Sequence, residues 1–568
     1  MAGALAQPAA RRVLRFDAWT AAAVALSLVL ALLVLNPLLR LVVSSLDVKG
    51  AWGLGNYVAA YARPRYVQAF WNSMALGAAV TGLCLVLAVP IAWAASRTDM
   101  PGRGLVKVAV LCTFVMPPYL GAVGWILLAG PNAGWLNVAW RGVTGAEAGL
   151  FDIYSFAGLS FVIAIYTFPF LFIFVQGALD VVSSEMEDAA NILGAGTVRT
   201  AVKVTLPMVL PAVLAGCIIT FLEAISLVGT PALIALPARV NVITTQLMQF
   251  FSPPIRAEVA AAYTMPLLLV TVGLYALQQR LLARRGFVAV GGKGGERRMI
   301  ALGAWRFVLL GYAWLVIGLA LILPAAVLAQ AAFAKAWGRG WRVDNLTLDN
   351  FAYLLFRHPA ARGSVVNSFT YAAVSATLAL LLALGIAYIV SRKLVRFGGV
   401  LSVLCMAPFV IPGIVLAIAF YGAYAPAPFS LYGTAAILIL AFTTRFLPIG
   451  FTSVSASLRG INPEMEEAVR ILGGGRGLAI RKVLAPLMKR SLVGAWLLVF
   501  IPATRELSTA MFLYGPNTRP MSIMLLDLSE EGNFELLAAL GFLLLAATSA
   551  VVIVGMRLVG RDFMLKRS

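Results

Sequence analysis

Apolar residues run along this chain in long unbroken blocks, with neither the alternation of a half-buried strand nor the one-sided stripe of a surface helix. The first block, Ala18 to Leu39, carries no charge. It is too long for the apolar core of a cleaved leader and reads as an anchor span. Similar blocks lie near 70–95, 105–130, 154–180, 206–232 and 258–280, and again near 307–333, 367–391, 398–424, 431–455, 484–513 and 535–556. Crossing hydrocarbon takes about 20 predominantly apolar residues, so the pattern predicts an all-α integral membrane protein of about twelve transmembrane helices. The basic, Gly-rich stretch RRGFVAVGGKGGERR falls in the middle. We therefore expect a first transmembrane repeat over 1–283, a linker over 284–305 and a second repeat over 306–568.

The two halves are copies of one another. NSMALGAAVTGLCLVLAVPIAWAASR (Asn72 to Arg97) parallels NSFTYAAVSATLALLLALGIAYIVSR (Asn367 to Arg392) at an offset of 295, which Pro117 and Pro412 keep. EDAANILGAGTVRTAVKVTLP (Glu187 to Pro207) parallels EEAVRILGGGRGLAIRKVLAP (Glu466 to Pro486) at 279, so the second copy has lost 16 residues after its third span. With six spans each, both copies enter and leave on the same side, which makes the repeat parallel and places its pseudo-twofold axis along the membrane normal.

Composition narrows the class further. The chain is 61% apolar and 12% charged, against about 45–50% and 25% in soluble domains, which leaves no room for a large water-soluble domain. Its net charge of +21 would suggest nucleic acid in a soluble protein. Here 29 of the 44 Lys and Arg fall in segments that are internal if the N-terminus is internal, and 12 in the outer loops. That is the positive-inside bias; it predicts cytoplasmic termini, a lipid bilayer as partner and no nucleic acid. Cys84, Cys112, Cys217 and Cys405 sit in apolar runs, and His358 is the one histidine, so no metal-ligand spacing exists. The nearest thing to a phosphate loop, Gly286 to Gly294, lacks the Gly-Lys-Ser/Thr ending and reads as a flexible linker.

The segment between the fourth and fifth spans of each half is the most informative. Acids (Glu185, Glu187, Asp188; Glu464, Glu466, Glu467) precede small residues and a glycine, Gly194 or Gly473, and 13 residues later comes Pro207 or Pro486, expected to open the next span. Acids suit the N-terminal end of a short helix and glycine its C-terminal stop. One such loop would pass for ordinary amphipathic chain; two with identical glycine-to-proline spacing do not.

This pattern resembles the EAA loop of inner-membrane permease subunits of binding-protein-dependent ABC importers. The chain reads Asp188-Ala189-Ala190 to Gly194, then Val204, Leu206 and Pro207; the second copy reads Glu467-Ala468-Val469 to Gly473, then Val483, Ala485 and Pro486. Asp188, Val469 and Ala485 depart from the pattern conservatively. The resemblance implies a type I importer permease fold in a bacterial inner membrane. In it these segments, Glu187 and Glu466 included, are coupling helices that dock on two copies of a cytoplasmic ATPase. ATP and Mg would be bound by those subunits and no cofactor by this chain, and a periplasmic binding protein would deliver the cargo. The fused layout, with Asn56-Tyr57, Asn350-Phe351, the NS pairs, SRTDMPGR and RELSTAMFLYGP, is most similar to ferric iron importer permeases; thiamine, aminoethylphosphonate and polyamine importers are the alternatives. An ion-coupled secondary transporter with 6+6 repeats would explain the spans but not the twin loops.

Charge inside a span costs about 2.5–3.5 kcal/mol on insertion scales, so Glu223, Arg445, Arg505 and Glu506 stand out. Glu223 and Glu506 are expected about one helical turn apart in depth. They either face a translocation pathway with Arg505 or form a buried pair holding the halves together. Arg445 is expected to pack near Pro448 at a kink.

Overall fold

A computed structural model describes residues 18–181, 185–284 and 299–559. These are helical almost throughout, the one sheet among them being the two-stranded ribbon Asp47–Val48 with Ala51–Trp52. Among the described residues ten helices are long and apolar enough to cross a membrane. Five lie in the first half, Trp19–Leu46, Pro64–Arg97, Phe156–Asp180, Ala201–Ser226 and Ala257–Leu282. Five lie in the second, Trp305–Ala332, Pro359–Ser391, Ala435–Arg459, Arg476–Thr504 and Phe534–Gly555. The Gly286 to Gly294 stretch lies outside the described residues.

The third apolar block of each half departs from the expected simple span. In the second half it is two helices, Gly398–Phe409 and Gly413–Tyr424, bent by 111°; counted as one span they bring the total to eleven. In the first half Arg103–Cys112 passes through the 3-10 turn Thr113–Val115 and restarts as Pro118–Ala129. Proline explains both breaks. It has no N–H to donate and forces the residue before it out of the helical region, and Met116, before Pro117, is extended at φ −82°, ψ 119°.

Pro207 and Pro486 do not open the next span, as expected from sequence; they lie inside it. The helices already run from Thr197 and Arg476, and a π turn precedes each proline, Ala201–Thr205 and Ile480–Leu484. A π turn adds one residue to the helical circuit and lets the backbone pass a position that cannot donate. The same device precedes Pro37 (Ala31–Leu35) and Pro324 (Gly318–Ile322).

The two sequence copies make matching contacts. Pro64–Arg97 packs most extensively on Phe156–Val181, and Pro359–Ser391 on Ala435–Arg459. Lipid offers no hydrophobic drive for such pairing, so close backbone approach over small residues supplies it; Ala372, Ala376, Ala379 and Ala383 are all buried along one of these helices. The first helix of each half crosses to the other half. Asn36–Leu46 packs on Gly413–Tyr424 and Leu323–Ala332 on Pro118–Ala129, the latter so tightly that a Cβ at Gly124 would lie 2.8 Å from Pro324 Cβ.

The NS pairs have a structural task. Ser73 Oγ accepts the Ile243 N–H at 2.8 Å and Asn72 Nδ2 donates to Asn241 O at 2.8 Å. Ser368 Oγ accepts the Met521 N–H at 2.7 Å and Asn367 Nδ2 donates to Arg519 O at 3.1 Å. Each pair thereby holds the start of the short helices Ile243–Phe251 and Met521–Glu530, satisfying N–H groups that have no partner within the helix.

Where the second half begins, residues 299–306 clip onto the end of Pro64–Arg97. The Ile300 N–H donates to Arg97 O at 2.9 Å, the Asp99 N–H to Ile300 O at 3.1 Å, and Arg306 Nη1 lies 3.3 Å from Asp99 Oδ2. From there Trp305–Ala332 runs away and Pro359–Ser391 returns, so Arg97 and Arg392 mark the same end of the bundle.

Candidate functional site

At that end each half carries a short exposed helix, Glu185–Ile192 and Glu464–Ile471. Both stop in the same way. Gly194 and Gly473 take φ +81° and +84°, a left-handed conformation that favours glycine. The next N–H then reaches back five residues, Ala195 to Ala190 O at 3.0 Å and Gly474 to Val469 O at 2.8 Å, closing the last turn.

Each helix is fastened by a glutamate to an arginine at the end of the second span. Arg97 is 2% exposed; its Nη1 lies 3.5 Å from Glu187 Oε2 and its Nη2 donates to Leu179 O at 2.8 Å. Thr205 Oγ1, in the π turn of the following helix, donates to Glu187 Oε1 at 2.6 Å. In the second half Arg392 Nη2 lies 2.6 Å from Glu466 Oε1, Arg392 Nε donates to the same oxygen at 2.7 Å, and Tyr388 OH donates to Oε2 at 2.9 Å. Sequence reasoning named the two glutamates as coupling residues but treated Arg97 and Arg392 only as ends of the repeat. The signal was present: a buriable charge repeated at offset 295 and facing an acid repeated at 279.

With that glutamate turned inward, the rest of each helix faces out. Asp188 is half-buried and Glu467, Ala189 and Ala468 are exposed, Ala190 less so. Beyond them stand two aliphatic pairs at matching positions, Ile192 and Leu193 at 86% and 87% exposed, Ile471 and Leu472 at 85% and 87%. Large apolar side chains displayed at the tip of a polar loop mark an interaction surface. Pro207 and Pro486 are exposed within the next helix.

The intramembrane charges gather where the broken helices meet. Arg445 Nε donates to Glu506 Oε2 at 3.1 Å, the Thr509 N–H donates to Oε1 at 2.9 Å, and Ser522 Oγ donates to Glu506 O at 2.8 Å. Arg505 Nη1 donates to Phe114 O at the break of the first half's third block. Such breaks leave backbone groups unpaired inside hydrocarbon, and polar side chains must satisfy them. Arg445 is therefore an ion-pair partner and not a residue merely packed near Pro448. Its guanidinium occupies space that a side chain at Gly413 would take, a Cβ there lying 2.8 Å from Arg445 Cζ. Glu223 lines a cavity of about 80 Å³ with Arg445, Ser226, Pro412 and Ser508. The NS contacts set the local offset at 278 (Ile243 to Met521), which aligns Glu506 with Val228 and Glu223 with Ile501. The two acids are not copies of one another.

The profile of one protein family, the binding-protein-dependent transport system inner membrane component, matches residues 69–286, the stretch holding Arg97, Glu187 and the first exposed loop. That stretch of the first half carries the sequence pattern of this family. It is similar to the ferric transport system permease protein FbpB of Actinobacillus pleuropneumoniae, 27% identical over 86% of this chain and 70% of the relative. It is also similar to the putative ferric transport system permease protein FbpB 1 of Haemophilus influenzae, 26% identical over 80% and 71%. A third relative is the probable ABC transporter permease protein y4fN of Sinorhizobium fredii, 27% identical over 87% of each chain. The chain is thus a multi-pass, non-enzymatic permease subunit of a bacterial binding-protein-dependent ABC importer, and the ion-coupled secondary transporter falls away.

Proposed function

We propose that the chain forms the whole membrane pathway of its importer, two six-segment repeats over 1–283 and 306–568 related by a pseudo-twofold axis along the membrane normal, joined by the linker 284–305. Ten spans and two broken third segments account for the twelve apolar blocks. The paired contacts of the NS motifs and of Glu187 and Glu466 support the repeat. The termini and both loops are cytoplasmic, as the Lys and Arg bias requires. Cysteines placed at Gly196 and Gly475, both exposed, should then label from inside only.

The observation that carries the coupling role is the twin display of Ile192-Leu193 and Ile471-Leu472 on helices whose inner faces are pinned by an ion pair. Each pair docks on one copy of a cytoplasmic ATPase, which binds ATP and Mg. Because the anchor glutamate is fixed to the second span, movement of the ATPase is transmitted to Pro64–Arg97 and Pro359–Ser391. These helices in turn hold the short helices beside the broken segments, through Ser73 and Ser368.

The cargo we assign is ferric iron, delivered by a periplasmic binding protein, on the strength of the two ferric transport relatives. Thiamine, aminoethylphosphonate and polyamine remain the competing substrates. The two acids and two arginines of the central cluster balance in formal charge, so the pathway offers polar groups without a strong net field. Proteoliposomes holding the chain, its ATPase and its binding protein should accumulate radioactive ferric iron only with internal ATP. Accumulation of aminoethylphosphonate but not iron under those conditions would change the substrate and keep the coupling account.

A further inference from the structure

A cavity of about 400 Å³ opens between the ends of Pro359–Ser391 and Ala435–Arg459, at the end of the bundle that carries the exposed loops. Ser391, Arg392, Ser402, Phe451, Ser455 and Arg459 line it. Arg392 is committed to Glu466. The Arg459 guanidinium and the three serine hydroxyls have no protein hydrogen-bond or ion-pair partner among the described residues.

The first half shows what fills this place when it is closed. Ser402 corresponds to Lys107 at the offset of 295 and Arg459 to Asp180 at 279, the offset that Pro169 and Pro448 also keep. Lys107 Nζ lies 3.8 Å from Asp180 Oδ2. The second half has exchanged that pair for a hydroxyl and an arginine, replacing a salt bridge with an uncompensated cation over a hollow. Both flanking spans end at this level, so the hollow lies at headgroup depth, with Phe451 as an apolar wall.

We propose that this cavity binds a phosphate group, held by Arg459 and the hydroxyls of Ser391, Ser402 and Ser455. Guanidinium and hydroxyl donors around an open pocket suit phosphate oxygens, and basic pockets between membrane helices suit anionic headgroups. The phosphate has two possible sources, an anionic lipid or a soluble phosphate. Its neighbour Arg392 carries the Glu466 anchor, so occupancy would bear on the second exposed loop and not on the first.

Native mass spectrometry of the purified full-length chain tests this with phosphatidylglycerol, phosphatidylcholine and inorganic phosphate as probes. The wild type should retain phosphatidylglycerol about tenfold better than phosphatidylcholine, the size expected of one charge-assisted contact. Arg459→Ala should erase that preference. So should the double change Ser402→Lys with Arg459→Asp, which imports the first-half pair and closes the cavity. Loss of bound phosphatidylglycerol on adding millimolar inorganic phosphate assigns the site to soluble phosphate; retention assigns it to lipid. Equal phosphatidylglycerol retention by the wild type and both variants, or no binding of either phosphate probe by the wild type, would overturn the proposal.

Discussion

The two loop anchors perform one task with different materials. In the first half the pair is nearly dry, Arg97 and Glu187 side chains being 2% and 6% exposed, and the glutamate is also tied to the next helix through Thr205. In the second half the contacts are shorter but wetter, Arg392 and Glu466 being 13% and 10% exposed, and the extra donor Tyr388 comes from the arginine's own helix. With the Arg97 bond to Leu179 O, the first anchor thus joins four helices and the second joins two. A pair sealed from water is costly to break, because the remaining charge stays buried; a pair that water can reach is forgiving.

Removing each glutamate should separate the two anchors most widely. Glu187→Ala removes an ion pair from a nearly dry site and should cost about 3–5 kcal/mol, whereas Glu466→Ala should cost about 2 kcal/mol, since water can solvate Arg392. Chemical unfolding of the purified chain measures both, and equal losses would remove the asymmetry. Glu506→Gln weakens the Arg445 contact and should cost about 2 kcal/mol, seen as less folded protein in the membrane with near-normal uptake per complex. Glu223→Gln, which changes a cavity wall and no observed ion pair, should instead lower uptake at unchanged abundance.

The glycines, by contrast, should behave alike in the two halves. Among the described residues no atom lies within 4 Å of a Cβ at Gly194 or Gly473, so a substitution there meets chiefly the backbone penalty of a positive φ, about 1–2 kcal/mol, equal in both halves. Gly194→Val and Gly473→Val should each impair ATP-driven uptake while leaving membrane insertion intact, and asparagine at either position should do less harm. The smallest effect concerns the clip at Asp99. The Leu302 N–H and then Arg306 hold its carboxylate below the ordinary range. A depressed acid contributes stability above its ordinary pKa and loses it as pH falls through the folded value. Hydrogen exchange at Ile300 and Leu302 should therefore rise on acidification below that range and stay flat in Asp99→Asn.

Long apolar blocks, the 295 and 279 offsets and the two glycine stops carried most of the architecture in the sequence, since each is a local signal repeated. The broken third segments were not legible as breaks. Pro117 and Pro412 could have kinked a continuous span, and only the packing of the other half's first helix on Pro118–Ala129 and Gly413–Tyr424 shows what the break accommodates. Pro207 and Pro486 misled in the opposite sense, because a π turn absorbs them without ending the helix. In the central cluster the charges were legible and their partners were not. Arg445 and Glu506 are 61 residues apart, and no periodicity links them.

The proposed paired docking points of the ATPase are Ile192-Leu193 and Ile471-Leu472. Their most direct test is co-purification of the ATPase with a chain in which all four are changed to aspartate, beside the wild type. The four side chains already face solvent, so the variant should insert and unfold like the wild type. Its retention of ATPase should fall at least about tenfold, with ATP-driven uptake lost. Full ATPase retention and full uptake by this variant would contradict the account.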